Sequence, residues 1–391
     1  MNNENIIKEL LSRGVVEVID QNNLESRLKK GETLRIKFGI DPTSPDIHIG
    51  RAATLLKLRD FQQLGHKIIF IIGDFTAVIG DTSDKESERP MLSKEEVKKN
   101  MESYLEQASK VIDIDNTEIV YNSEWLEELN YHEIGDQADV FSVADFIARK
   151  NIKDRLSAGK RVSLREVLYP LMQGYDSVAV KADVEIGGTD QRFNLLAGRT
   201  LQEKYGQKPQ DIITMNLIKG TDGRKMSSSW GNTINLNDDP KQMYGKIMSM
   251  PDDIIVEYFI HLTRVPMKEI NEIDKKIKSE LMNPRDAKMR LADEITQLFW
   301  EEEGVKQGKE HFVNTFQKKE VPEDIKEVKV SSEKLLDILV ECGLVSSSSE
   351  GRRLIEQKGI KIDGVTADNE SQRIESGSLI QKGKREFRKV V

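Results

Sequence analysis

The chain has 391 residues, of which 37% are hydrophobic and 32% charged, and its formal net charge is −8. That length allows two or three domains with a sizeable core, and the acidic balance excludes a generally basic nucleic-acid binder. A single cysteine, Cys342, excludes an intramolecular disulfide and a thiolate-rich metal site.

Residues 1–31 read as amphipathic helices, from Ile6, Ile7, Leu10 and Leu11 and then from Leu24 and Leu28. Met1-Asn2-Asn3-Glu4 is unlike a signal peptide and no apolar run approaches a membrane span, so a cytoplasmic protein with no membrane partner and no protein-held metal is expected. At Leu34 the pattern changes to alternation, with Leu34, Ile36, Phe38 and Ile40 on one side and Arg35, Lys37, Gly39 and Asp41 on the other, which predicts a strand. Pro42 and Pro45 stop it. From Gly50 the apolar spacing becomes helical through Ala52, Ala53, Leu55, Leu56, Leu58 and Phe61. A strand therefore feeds through a polar loop into a helix N-terminus, with His48-Ile49-Gly50 at the junction. Such a terminus offers free N–H groups and a partial positive charge, which suits phosphate. Lys37, Gly39 and Asp41 share one strand face near the carboxyl end, where open α/β sheets bind ligands.

Lys67–Ile72 is an apolar run suited to a central parallel strand, followed by a charged loop over residues 80–90. Ser93 with Glu96 forms a capping box, and Glu118–Tyr121 is another strand. This order predicts a doubly wound parallel α/β sheet. Residues 125–161 read as a polar helical insertion. Tyr169, Gln173 and Asp176, at offsets of four and three, share a helix face, with Pro170 expected to kink or restart that helix. Val184–Gln191 repeats the pattern of strand, glycine loop and helix, with Thr189 and Asp190 as plausible caps. After a strand at Ile212–Leu217, residues 219–229 form a loop expected to be mobile and to carry one useful cation, Lys225. Asp239-Pro240 and Asn283-Pro284 start helices. Residues 318–330 read as a charged linker. Beyond them lie two short helices, a hairpin turn at Asp363-Gly364 and a basic tail.

His48-Ile49-Gly50-Arg51 resembles the HIGH motif of class I aminoacyl-tRNA synthetases, and Lys225-Met226-Ser227-Ser228-Ser229 resembles their KMSKS loop. The segments Lys37–Thr43, Tyr169–Ser177 and Ile186–Gln191 are similar to signatures of bacterial tyrosyl-tRNA synthetases, and Ser348–Gly359 to a small RNA-binding domain shared with a ribosomal protein. The resemblance covers essentially the whole chain. It implies a Rossmann-like catalytic domain over residues 1–235 and a helical, anticodon-stem-side domain over 236–317. A small α+β RNA-binding domain over 331–391 follows the linker. It also implies a homodimer with the 125–161 insertion at the interface.

By position, Asp81, Tyr169 and Gln173 would hold the tyrosine ammonium, and Asp176 would accept from the phenol, with Lys37, Gly39, Asp41 and Gln191 completing the tyrosine site. Asp41, Gly50, Gly188 and Asp190 would contact the nucleoside of ATP. Thr54, Met226, Ser227 and Ser228 would join the ATP site, and Thr43, His48, Arg51, Lys85, Arg89 and Lys225 would act at the phosphates with Mg²⁺ assisting. Arg352, Arg353, Lys358, Lys382, Lys384, Arg385 and Arg388 would meet tRNA(Tyr). Three positions depart from the family pattern. Arg51 replaces the last histidine of HIGH, Ser228 replaces the second lysine of KMSKS, and Lys37 stands where many members have a tyrosine. In this reading the Lys37 ammonium donates to the substrate's phenolic oxygen. Two alternatives stand beside an active tyrosine enzyme: a catalytically weakened RNA-binding paralogue, and a tryptophanyl-tRNA synthetase.

Overall fold

The structure, a computed structural model, describes residues 3–81, 83, 91–317, 325–330, 332, 334–367, 369–370, 372–383 and 386–391. Lys85, Arg89, Lys384 and Arg385 lie outside the described residues, as does most of the expected linker. The chain divides into two compact units, Met1–Val305 and Lys306–Val391.

The first unit is built on a sheet of six strands: β1 (Val15–Ile19), β2 (Arg35–Ile40), β3 (Lys67–Ile72), β4 (Thr117–Tyr121), β5 (Val184–Gly188) and β6 (Asp211–Met215), in the order β1-β6-β5-β2-β3-β4. Strands β2 to β6 are parallel, and β3 is buried over Ile68–Ile72, as its unbroken apolar run requires. β1 corrects the expectation of helices alone before residue 31. The helices Asn3–Ser12 and Gln21–Lys29 form, but Val15–Ile19 between them pairs antiparallel with β6, for example Val18 with Ile213. Its β-branched residues suit a pleated edge, and the partner that decides the matter lies about 200 residues away.

The chain leaves β2 toward β3 and β4 on one side and runs from β5 to β6 on the other. The boundary between β2 and β5 is thus a switch point, and Asp41 and Gly188 stand at the carboxyl ends of its two strands. The helix Leu164–Ala179 is continuous through Pro170, so it does not restart there. Its first turn is fixed by the Ser163/Glu166 capping box and by the buried Arg155–Glu166 pair at 2.5 Å. It packs closely on the helix Arg192–Lys204: a Cβ on Gly174 would lie 3.0 Å from the Ala197 carbonyl carbon. Beyond the sheet, Asp239 caps its helix through Gln242 N, and Asn283 accepts from Arg285 N.

The helix Ile255–Leu262 docks through cations. Arg13 donates to the carbonyls of Phe259, Ile260 and Thr263, and Arg264 grips Asp60 with two nitrogens, each at 2.8 Å. His261 is 4% exposed in this setting. Burial, followed by the charges of Lys57, Arg13 and Arg264, pushes its imidazole down to about 4. The unfolded histidine titrates near 6.5, so between about pH 6.5 and 4 the unfolded chain takes a proton that the folded chain refuses. Stability should therefore fall on acidification through that window, by up to about 3 kcal/mol. Asp41 and Asp176, described below, act with the opposite sign, so the measurement is a difference. Urea midpoints at pH 7.5, 6 and 5 should fall more steeply in the parent than in His261→Gln, and parallel curves would exclude the effect.

The second unit has helices Leu335–Glu341 and Ser348–Glu356 on one five-stranded sheet. Its strands are β7 (Glu327–Val328), β8 (Ile360–Ile362), β9 (Val365–Thr366), β10 (Leu379–Lys382) and β11 (Glu386–Val390), in the order β7-β11-β10-β8-β9. Leu335, Ile338, Leu339, Ile360 and Ile380 centre its core. Asp363-Gly364 makes the expected turn with both φ angles positive, 47° and 83°. Glu327–Val328, expected in the linker, is instead a strand parallel to β11.

Candidate active site

A crevice of about 570 Å³ opens at the carboxyl ends of β2 and β5. A polar chain crosses its floor. Trp125 Nε1 donates to Asp176 Oδ1 at 2.8 Å, and Asn122 Nδ2 donates to Asp176 Oδ2 at 3.4 Å and to Thr76 Oγ1 at 2.9 Å. Thr76 Oγ1 in turn donates to Asp41 Oδ1 at 2.7 Å, and the Tyr169 hydroxyl donates to Asp41 Oδ2 at 2.8 Å. Gly73 makes room for this carboxylate, since a Cβ there would sit 2.2 Å from Asp41 Oδ1. Loss of water pushes Asp41 up to about 6, against the bonds from Thr76 and Tyr169 that lower it. Burial likewise raises Asp176 to about 7, opposed by the Lys37 charge and by the Trp125 and Asn122 donors. Burial beside these acids raises the Tyr169 phenol well above its ordinary value.

Lys37 does not stand where the sequence suggested. It is 0% exposed beneath the crevice floor. Its ammonium spends its three protons on Glu185 Oε1 at 2.8 Å, Ser177 Oγ at 2.8 Å and the Gln173 carbonyl at 2.9 Å. Lys37 and Glu185 are register neighbours on β2 and β5. No proton is left for a substrate phenol in this arrangement. Glu185 is further held by Ser177 Oγ and Gln210 Nε2.

Gln173 and Asp176 face the crevice from the helix Leu164–Ala179, and Asp81 and Gln191 meet at its rim, where Gln191 Nε2 donates to Asp81 Oδ2 at 2.7 Å. Thr189 and Asp190 do not cap the next helix. Thr189–Gln191 is a 3-10 turn, and Asp190 pairs with Lys225 at 3.2 Å.

On the other side, His48 precedes the helix Ile49–Gln63, and Gly50, Arg51 and Thr54 of that helix line the crevice together with Thr43. Arg51 Nη1 donates to the Asp41 carbonyl at 3.3 Å. Lys225, Met226, Ser227 and Ser228 line the opposite wall with Gly188, and Gly39 lies at the end of β2. Their loop is tied at several points. Lys219 and Lys225 form a β-bridge, and buried Asn232 accepts from Ser227 N and donates to Asp222 and to the Lys225 carbonyl.

In the second unit Arg352, Arg353 and Lys358 are exposed, with Arg352 paired to Glu370 at 2.8 Å. Lys382 and Arg388 turn inward and donate to the carbonyls of Leu344 and Cys342, just past the helix Leu335–Glu341. They close that helix end as well as carrying charge.

Sequence reasoning missed Thr76, Trp125, Asn122, Ser177, Glu185 and Asn194. One signal was available: Lys37 and Glu185 each interrupt an apolar run, Ile36-Lys37-Phe38 and Val184-Glu185-Ile186. A buried charge of either sign demands a partner.

Residues 29–317 match the family described as "tRNA synthetases class I (W and Y)", and residues 333–380 match the S4 domain. The Tyrosine--tRNA ligase of Thermotoga maritima is 47% identical over 386 residues, covering 98% of this chain and 96% of the relative. That of Aquifex aeolicus is 45% identical over 387 residues, covering 98% and 97%. Among solved structures, a C-terminally truncated mitochondrial tyrosyl-tRNA synthetase from Aspergillus nidulans shares the fold, with a TM-score of 0.64 at 20% identity over 78% of this chain and 92% of its own. A tyrosyl-tRNA synthetase from Archaeoglobus fulgidus does so with a TM-score of 0.61 at 22% identity, over 78% and 99%. The chain thus belongs to the class I tRNA synthetases of the tryptophan and tyrosine group.

Proposed function

We propose that the chain is a tyrosyl-tRNA synthetase, which activates L-tyrosine with ATP and transfers it to the terminal ribose of tRNA(Tyr). One observation carries the choice of tyrosine. Asp176 is 4% exposed in the crevice, and each of its oxygens accepts from a fixed donor. Its remaining lone pairs can accept from the O–H of a phenol, which a phenyl ring cannot supply. An indole N–H also donates, and tyrosine is favoured over tryptophan by the 47% identity to the Tyrosine--tRNA ligase of Thermotoga maritima.

Asp81, Tyr169 and Gln173 hold the ammonium in this reading, and the tyrosine carboxylate attacks the α-phosphorus of ATP. The bond to pyrophosphate breaks as the bond to the carboxylate oxygen forms. The carboxylate is already a nucleophile, so no strong base is needed. Catalysis is positioning plus stabilisation of phosphate charge by His48, Arg51 and Lys225. Thr43, Lys85 and Arg89 would assist them, with Gly50, Thr54, Gly188, Asp190 and residues 226–228 around the nucleotide. Mg²⁺ would assist as the counter-ion of the nucleotide's phosphates.

Exposed Tyr131 and Val143, at 92% and 75%, support the 125–161 region as the contact of a homodimer. Exposed Arg352, Arg353 and Lys358 support tRNA contact by the small domain, within proposed boundaries of 1–235, 236–317 and 331–391. Among the described residues no helix is long and apolar enough to cross a membrane, and a cytoplasmic site is proposed.

The test is amino-acid-dependent ATP–pyrophosphate exchange. Tyrosine should support it, with phenylalanine and tryptophan at least about a hundredfold less efficient, because each leaves buried polar groups unpaired. Comparable rates with tryptophan would overturn the assignment. Exchange with no amino acid, with RNA binding retained, would favour the weakened paralogue.

A further inference from the structure

Asn194 stands behind the crevice wall in the first turn of the helix Arg192–Lys204 and is 1% exposed. Its amide nitrogen donates to Gln191 Oε1 at 2.9 Å, to Gln173 Oε1 at 3.0 Å and to Ser83 Oγ at 3.3 Å. Ser83 Oγ passes the link on to Asp81 Oδ1 at 2.6 Å. One side chain thus joins Asp81 and Gln173, which the proposed function assigns to the tyrosine ammonium, with Gln191 of the same expected tyrosine site.

The direction of these bonds is fixed from outside. Gln191 Nε2 donates to the Asp81 carboxylate at 2.7 Å, and Gln173 Nε2 points at the Glu185 carboxylate at 3.4 Å. A carboxylate accepts only, so both glutamines must turn their NH₂ groups outward and their oxygens toward Asn194. Asn194 must then donate. Among the described residues its own buried Oδ1 has no hydrogen-bond partner, which is unfavourable and unusual for a core amide.

We propose, resting on the tyrosine reading above, that Asn194 is a positioning residue that sets the amide orientation of Gln173 and Gln191. It touches neither substrate. Its orphaned oxygen is the cost of presenting two donors to three acceptors. With the glutamine oxygens anchored, the second lone pair of Gln173 Oε1 is aimed for the substrate ammonium. Without the anchor, both amides can rotate, and tyrosine meets the wrong edge of each in part of the population.

The experiment is pyrophosphate exchange on the full chain, with tyrosine and ATP varied separately. Asn194→Ala should raise the KM for tyrosine at least about tenfold and leave the KM for ATP within about twofold. Its thermal midpoint should stay near the parental one, since an unpartnered buried oxygen leaves with the three bonds. Asn194→Asp keeps the shape but presents only acceptors, and should raise the tyrosine KM further. Should Asn194→Ala not fold, Asn194→Ser retains a hydroxyl donor and should lie between the parent and Asn194→Asp. A parental tyrosine KM in these variants, or an equal rise in both KM values, overturns the role of Asn194 alone. Absence of tyrosine-dependent exchange in the parent overturns the functional reading and this inference with it.

Discussion

Lys37→Met should lower the free energy of unfolding by about 3–5 kcal/mol, because it leaves the Glu185 carboxylate buried without its cation. Both side chains of this pair are almost wholly buried, 0% and 2% exposed. Ser177 and Gln210 still donate to Glu185, but they were placed around an ion pair and cannot replace a unit charge. The double replacement Lys37→Met with Glu185→Leu should recover most of the loss, since apolar residues of similar volume commonly match or exceed a buried ion pair. Tyrosine affinity should not return with stability. The Gln173 carbonyl would still lack its ammonium, and Asp176 would lose the charge that opposes its upward shift. Urea unfolding and the tyrosine KM on the parent and the two variants read the two effects apart. A loss below about 1 kcal/mol in Lys37→Met would mean that this lysine faces solvent or substrate, as the sequence alone suggested.

Arg51→Ala should cost roughly 2–4 kcal/mol of transition-state stabilisation, by analogy with removing one oxyanion donor. The chain gains a guanidinium at Arg51 and lacks an ammonium at Ser228, and both residues line the crevice. Arginine is permanently charged and grips phosphate oxygens with two nitrogens. Arg51 sits in the first turn of a helix, so little ordering is required when the nucleotide binds. The loss should fall on kcat, with the tyrosine KM little changed. Ser228→Lys should rescue Arg51→Ala more than it helps the parent, since two groups sharing one task are not additive. Pyrophosphate exchange on the four enzymes measures this coupling. Strict additivity would leave Arg51 and Ser228 independent, and full activity in Arg51→Ala would remove it from the reaction.

The parts legible in the sequence are those written in local spacing. Alternation over Leu34–Ile40, two prolines and a helical run after Gly50 yielded β2 and the helix at its end. Offsets of four and three carried Tyr169, Gln173 and Asp176 to one crevice, on a helix that continues through Pro170. What escaped depends on distant partners. β1 exists because of β6, and the meaning of Lys37 depends on Glu185, its neighbour only through sheet register. Alternation could say which face Lys37 occupies, but not that another charge closes that face. Asn194 escaped for the same reason, since its bonds run to Gln173 and Ser83 on other segments.

Strand β7 bears on how the small unit responds to tension. Lys389 N bonds to the Lys326 carbonyl at 3.2 Å and Val391 N to the Val328 carbonyl at 3.1 Å, and Lys389 Nζ grips Glu327 at 2.8 Å. The segment entering the unit is therefore stitched beside its last strand and runs in the same direction. A pull along the entering chain loads these bonds sideways and together, in shear, instead of peeling them one at a time. The pull is also borne first by the C-terminal strand, which β10 backs over the four residue pairs from Leu379–Lys389 to Lys382–Glu386. The entry point thus doubles as a mechanical clasp.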